Sequence, residues 1–327
     1  MKNKQPKQPK LPELLERKIY KTGQTRGADD DVIYQNRVGR NSTVLIPYEL
    51  WDMNHHYINN TKFEKGFICL ISPKDYFETE NIHKILENKG LIIGTNTLVF
   101  YQKRHDWNKY PPLKDWREAS SRIAPLNGHF VARIAATTAI ERGAKINRGF
   151  TTTGMKGAGI RLFEYASLEN ITKCRIQLEA IYWLCKDSVH YACEFGMKKE
   201  DAEKRKSSIL KIAEDNELLD FTLLKTFRII DKENNSICPL CLEKISAAGF
   251  FNKLAQAEGR EVHDLTITEI NLFHIKELRY GEFNHRPYNL GWGHHHCNVV
   301  VKDSGIAETL QWMESVINRN NELKNLK

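Results

Sequence analysis

No uninterrupted apolar span of membrane length occurs in the 327 residues, so nothing in the chain suits a helix across a bilayer and no membrane partner is expected. The opening Met1-Lys2-Asn3-Lys4-Gln5-Pro6-Lys7-Gln8-Pro9-Lys10 has no apolar core of a signal peptide, and export is not expected. Cysteine is scarce and odd in number, at seven. Cys69, Cys174, Cys185 and Cys193 lie in apolar contexts that read as free core thiols, so the expectation is no disulfides and a cytoplasmic location. No internal repeat is visible. Acidic side chains are outnumbered, 41 against 49 Lys and Arg, for a net charge of +8. With a pI near 9.0 and a mean hydropathy of −0.54, this favours a polyanionic partner, and it is equally the mark of a solvated basic face.

What is present reads as a mixed chain too long for one small core. Residues 1–12 are expected to be a disordered basic tail. From Leu11 to about Asn60, Arg, Lys, Gly, Asn and Tyr recur, in Lys18-Ile19-Tyr20-Lys21-Thr22-Gly23-Gln24-Thr25-Arg26-Gly27 and Tyr34-Gln35-Asn36-Arg37-Val38-Gly39-Arg40-Asn41. Arginine, Gln and Asn can pair with base edges, which makes Arg26, Arg37 and Arg40 candidate DNA contacts; solvated turns explain the same residues. Gly66 to Ile71 and Leu91 to Tyr101 read as buried strands around a short helix near residues 80–88. The aromatic, proline-marked stretch Arg104 to Trp116 reads as loop packed on a core.

Val131 to Arg142 has helical spacing. The Gly- and Thr-rich run Asn147 to Arg161 cannot be a regular helix and lacks the order of a P-loop. It is either a hinge or an arm along DNA, with Arg148, Lys156 and Arg161 as candidate contacts. Leu168 to Phe195 predicts a mostly buried helix and Lys198 to Asn216 a charged, solvated one. Residues 13–230 are thus expected to be recognition and scaffold, with Asp231 to Ser236 a linker into a terminal unit, residues 231–327. That unit carries a predicted helix at 250–258 and another at 306–319, with Ile306, Leu310, Met313, Val316 and Ile317 on one face for the scaffold or a second subunit.

The terminal unit holds the chemistry. Cys238-Pro239-Leu240-Cys241 puts two sulfurs on one side of a tight turn, which suits two corners of a tetrahedral zinc site. His294-x-x-Cys297 repeats the spacing and completes a Cys3His set of Cys238, Cys241, His294 and Cys297. His295 and His296 do not repeat the two-residue gap and are left out. His274 lies in an apolar strand-like run, Ile270 to Ile275, with turn-like residues from Gly281 to Pro287 behind it. Asn289 follows His274 by 15 residues and Asn298 follows it by 24, directly after the last zinc ligand.

This arrangement, from Ile237 to Asp303, resembles the HNH, or ββα-metal, nucleases. The resemblance implies an α+β fold: a mixed N-terminal DNA-recognition region followed by a zinc-stabilised ββα-metal unit. It implies that His274 is the general base, that Asn289 holds the hairpin, and that Asn298 ligates a catalytic Mg²⁺ or similar cation, leaving 5′-phosphate and 3′-hydroxyl ends. Many members place an Asp before the catalytic His; here Phe273 stands there, so Glu277 or His285 is the candidate to complete the metal site, with Asp264 and Glu269 behind. Lys21 to Asp31, together with Asn284-His285-Arg286-Pro287-Tyr288-Asn289-Leu290, is similar to the BstXI type of HNH restriction enzyme. That implies type II cleavage of double-stranded DNA by a homodimer on a palindromic site, and a cognate DNA methyltransferase in the same cell. Two other readings stay open: a zinc-stabilised DNA-binding protein without catalysis, for which Phe273 speaks, and an HNH nicking or homing nuclease.

Overall fold

The structure is a computed structural model that describes residues 8–20, 33–34, 39–53, 58, 61–137, 143–150, 157–252, 268–279, 282–302 and 304–324. The chain divides into two compact units. One gathers Met1–Thr22, Glu169–Arg279 and Asn284–Lys327, and the other Gly23–Leu168 with Tyr280–Phe283. The expected step at 230/231 falls inside the first of these. In chain order the first helix is α1 (Glu13–Tyr20), which belongs to the unit made mostly of C-terminal residues.

The Gly23–Leu168 unit is built on a sheet. Strands β1 (Val44–Pro47), β2 (Phe67–Ile71), β3 (Thr97–Tyr101), β4 (Phe130–Ile134), β5 (Ile146–Arg148) and β6 (Ile160–Arg161) lie in the order β5-β4-β3-β2-β1-β6. Every neighbouring pair is parallel except β4 and β5. Parallel strands need crossovers, and α2 (Tyr48–Met53), α3 (Pro73–Glu78), α4 (Ile82–Asn88) and α5 (Arg104–Lys109) lie in them. Apolar clusters on both faces explain why β2, β3 and β4 read as near-continuous hydrophobic runs. Ser72 caps α3 by accepting from the Asp75 N–H (3.0 Å), with Pro73 at the first helical position.

The strand expected at 66–71 and the helix near 80–88 are present, and the strand expected over 91–101 is confined to Thr97–Tyr101, with residues 94–96 a turn. The aromatic stretch packs as expected: Trp107 lies edge-on to Tyr101 and Trp116 stacks on His129. The helix expected from Val131 is corrected. Phe130–Ile134 is a wholly buried strand paired with β3 and β5, and Arg133 is accommodated in it by donating to the carbonyls of Ala132 (2.9 Å), Arg148 (2.8 Å) and Gly149 (2.7 Å). Of the Gly- and Thr-rich run, the described flanks enter β5 and β6.

The other unit is mainly helical: α6 (Leu168–Trp183), α7 (Ser188–Glu194), α8 (Lys199–Asp215) and α9 (Phe221–Thr226) precede an antiparallel pair, β7 (Ile270–His274) and β8 (Leu290–His294), then α10 (His295–Val301) and α11 (Ile306–Lys324). The single helix expected over 168–195 breaks at Leu184 to Asp187, where the Asp187 carboxylate accepts from Ser246 Oγ and from the Ala247 N–H (2.9 Å). Helix α8 is charged as expected, yet Ala202, Arg205, Ile209 and Ala213 form a buried stripe at i, i+3, i+4 spacing.

Residues 8–12, expected as tail, are docked: Leu11 is buried, Gln8 donates to Ser208 Oγ and Arg205 donates to the Pro9 carbonyl. Beneath them Glu179 accepts from Arg205 (2.6 and 2.9 Å), Tyr20 Oη (3.0 Å) and Trp183 Nε1 (3.3 Å). Asp231 to Ser236 is a closed turn rather than an extended linker. Asp231 Oδ1 accepts from the Asn235 N–H (2.8 Å), and Ser236 is buried. Most of the helix expected at 250–258 lies outside the described residues; Ala247–Phe250 is a 3₁₀ turn. Helix α11 buries Ile306 and Thr309 and rests Met313 on the core, while Leu310, Trp312 and Ile317 are exposed. Among the described residues no helix is long and apolar enough to cross a membrane.

Candidate active site and metal centre

The Cys-Pro-Leu-Cys segment turns because Leu242, in the left-handed region (φ 63°), returns its N–H to the Cys238 carbonyl (2.9 Å) while the Cys238 N–H donates to the Glu243 carbonyl (2.9 Å). Arg228 braces the turn from outside, donating to the carbonyls of Pro239 (2.7 Å) and Leu240 (3.2 Å). Arg228, ten residues ahead of the first cysteine, carries no signal in the sequence that marks this role. His294 closes β8 and Cys297 sits in the first turn of α10.

The ligand atoms of Cys238, Cys241, His294 and Cys297 all lie within 4.8 Å of one another. A tetrahedron with Zn–S bonds of about 2.3 Å has edges of about 3.8 Å, so the donors are close enough together for a small adjustment to hold a zinc ion. Cys238 and Cys297 are buried, Cys241 is exposed, and His294 Nδ1 is 3.4 Å from Cys241 Sγ. Burial, with Cys238 and Cys241 beside it, pushes the Cys297 thiol far up. A bound dication reverses that balance by deprotonating its thiols outright. Among the described residues this is the one cluster of three or more His, Cys, Asp or Glu able to hold a metal.

Strands β7 and β8 pair Ile270 with His294 through His274 with Leu290, and α10 follows β8 without a gap. Phe273 is fully buried and shares its face with Gly291 and Gly293, directly and diagonally opposite. A Cβ at Gly293 would stand 2.5 Å from Phe273 Cδ2, so the glycine makes room for the ring. The position before His274 is therefore a core position, which accounts for an aromatic there in place of a carboxylate.

His274 is half-buried at the end of β7, its Nε2 3.3 Å from Nδ1 of His285. Asn289 holds the return of the chain. Its Oδ1 accepts from the Lys276 N–H (2.8 Å), and its Nδ2 donates to the carbonyls of Lys276 (2.9 Å) and Asn284 (2.7 Å). The amide is spent on backbone and has no hydrogen left for a ligand.

Of the residues expected to hold a hard cation, His285 lies against His274. Glu277 pairs with Arg279, and its carboxylate lies against Gly305 at the foot of α11. His285 is buried against His274. Asn298 is half-buried on α10. Glu269, named behind Glu277, lies beside Asn252 and Gly249, and Asp264 lies outside the described residues.

The candidate DNA contacts scatter. Arg26, Arg37 and Lys156 lie outside the described residues. Arg40 is 8% exposed, and its Nη1 donates to the Glu164 carbonyl (3.3 Å). Arg148 is exposed on β5 beside Glu118 (3.4 Å), and Arg161, on β6, lies over the Tyr34 ring (5.1 Å) and near Glu164 (3.6 Å). These two strands are opposite edges of the sheet, about 24 Å apart at ~4.8 Å per strand, so the two arginines do not form one patch.

Comparison with known families matches residues 17–295 to the family described as BstXI restriction endonuclease. No curated protein and no solved structure matches the chain. The matched span includes His274, His285, Asn289, Cys238, Cys241 and His294, and it ends before Cys297 and Asn298.

Proposed function

On the premise that the chain belongs to the BstXI restriction endonuclease family, and so cleaves DNA sequence-specifically, we propose that it does so with an HNH-type site in which His274 is the general base. The observation that carries this reading is the junction at the end of β7, where a half-buried histidine ends a strand whose return is clamped by the Asn289 amide. A neutral imidazole suits the task, because its ordinary pKa of about 6.5 leaves it a free lone pair near pH 7. His274 takes a proton from water as the water oxygen bonds to phosphorus, leaving a 5′-phosphate and a 3′-hydroxyl. Asn289 acts on the backbone, fixing where the strand ends.

Cys238, Cys241, His294 and Cys297 would hold a structural zinc, whose binding energy is folding energy for this unit. Restriction endonucleases generally use divalent metals, and a hard cation would neutralise charge on the phosphate and leaving oxygens. Asn298 is a ligand candidate for such an ion, while Glu277 pairs with Arg279 and His285 with His274. The reading carries with it a homodimer on a palindromic site, a cognate methyltransferase and a cytoplasmic setting.

The test is digestion of unmethylated phage-length DNA with Mg²⁺ or with EDTA, beside the His274→Ala protein. Discrete bands that need Mg²⁺ and vanish in the variant are expected. DNA left uncut with every metal, but shifted in a salt-sensitive way on a gel, would replace this reading with a zinc-stabilised binding protein. Nicked circles without linear product would replace double-strand cleavage with nicking.

A further inference from the structure

We propose that Tyr288 is a positioning residue that pins the return of the hairpin to the helical scaffold, so that Asn289 can hold His274 in place; this rests on the reading of His274 as the base. Tyr288 stands in the left-handed region, at φ 63°. It follows Pro287 in a turn closed by the Asn289 N–H on the Arg286 carbonyl (3.2 Å). Proline second and a positive φ third is the pattern of a type II turn, whose third place suits glycine or asparagine. A bulky aromatic there is under strain and persists only where its surroundings hold it.

Those surroundings are bonds to the helical part of the same unit. The Tyr288 N–H donates to Gln177 Oε1 (2.7 Å), on α6, and Gln177 Nε2 donates in turn to the Leu218 carbonyl (2.9 Å). Gln177 is 1% exposed, so its amide is fixed by these partners. The Tyr288 hydroxyl donates to the Glu217 carbonyl (2.7 Å) and accepts from the Asp220 N–H (3.0 Å), both in the connection from α8 to α9. The residue is thus held at its backbone and at the far end of its ring. A glycine would satisfy the turn and leave the second anchor out. Helix α6 also holds the strand that follows, through Trp292 Nε1 on the Leu178 carbonyl (2.9 Å).

What Tyr288 carries is Asn289. That amide takes both backbone groups of Lys276 and the Asn284 carbonyl, and the Asn289 carbonyl accepts from the Ile275 N–H (3.0 Å). Ile275 is the residue after His274, so the bonds run from α6 and residues 217–220 through the turn to the end of β7. All of these residues belong to one compact unit. Tyr288 fixes where the imidazole stands and takes no proton itself. Support of this kind matters because displacing a reacting group by about 1 Å costs about 10²-fold in rate.

The experiment compares Tyr288→Phe, which keeps the ring and loses the hydroxyl, and Tyr288→Gly, which eases the turn and loses the ring, with the unsubstituted enzyme. Each is checked for one zinc per chain and for DNA binding. In both, kcat should fall on the order of 10-fold with KM unchanged, inside the range that misplacing a reacting group costs. Isotope-labelled His274 should give one sharp set of ring resonances in the unsubstituted protein and broadened or multiple sets in the variants. In an Asn289→Ala background Tyr288→Phe should add almost nothing, because residues that act as a unit are not additive. Full activity in Tyr288→Phe or in Tyr288→Gly overturns the proposal, as does a loss that adds in full to that of Asn289→Ala. Several His274 ring states in the unsubstituted protein overturn it too. If Tyr288→Phe or the Asn289→Ala background does not fold, Tyr288→Gly and the ring resonances decide. Cutting that survives His274→Ala is a different failure, that of the base assignment itself.

Discussion

At the scale of single residues, Phe273 and Gly293 explain each other. The ring occupies the space a Cβ at Gly293 would need, so Gly293→Ala forces a rigid aromatic to shift inside a filled core and should destabilise the protein by about 1–3 kcal/mol. Denaturant titration checks this. In Phe273→Ala/Gly293→Ala the two losses should be less than additive, since the first substitution removes the Cδ2 and Cγ atoms the second collides with. Strict additivity would mean that the clash is relieved elsewhere. The same pair accounts for the departure from the HNH pattern at this position: a carboxylate at 273 would sit in the core beside two glycines with no hydrogen-bond partner. Arg40 teaches the opposite lesson, for a residue type suited to base edges is here a buried tie to the Glu164 carbonyl.

At the scale of elements, α1 reaches the β7 strand through one ammonium. Lys18 Nζ donates to the Ile270 carbonyl (2.6 Å), and burial lowers its pKa from the ordinary 10.5 to about 8. Between those two values the folded chain has released the Lys18 proton while the unfolded chain still holds it. The unfolded state then binds more protons, and stability rises with pH across that window. Below about pH 8 both states are charged and the burial penalty is present in full. Urea midpoints measured from pH 7.5 to 10.5 should therefore climb in the natural sequence relative to Lys18→Met, in which this contribution is gone. Parallel curves for the two proteins would show that Lys18 keeps its charge through that range.

At the scale of the whole molecule, the four zinc-ligand candidates all belong to the unit of Met1–Thr22, Glu169–Arg279 and Asn284–Lys327, and the sheet belongs to the other. A chelator should lower the melting of the first unit and leave the sheet unit where it was, because metal binding is folding energy only where the ligands are. Scanning calorimetry with and without chelator reads this as one displaced transition out of two, and Cys238→Ser should reproduce it. Equal displacement of all the heat absorbed would mean that the units melt together. A Cys238→Ser protein that stays folded with one zinc per chain would remove Cys238 from the ligand set.

The amino-acid order alone determined the features set by short spacing. Two residues between Cys238 and Cys241, and two between His294 and Cys297, decide where a turn can aim its donors, and these four side chains do converge. The apolar run at 66–71 and the end of the run at 91–101 become buried strands, and the apolar faces of α6 and α11 follow from their 3.6-residue period, whereas the buried stripe of α8 lies under a pattern that reads as solvated. What only the tertiary structure decided depends on segments far apart in the chain. Phe130–Ile134 is a strand paired with β3 and β5, and the carbonyls of residues 148 and 149 arrive to accommodate Arg133 in it. Residues 8–20 join the C-terminal unit because Glu179 and Arg205 bind them across some 160 to 200 positions. His285 faces His274 because two asparagine amides fold its loop back. A buried polar group takes whatever partner the fold brings to it, and its identity cannot be read from its neighbours in sequence.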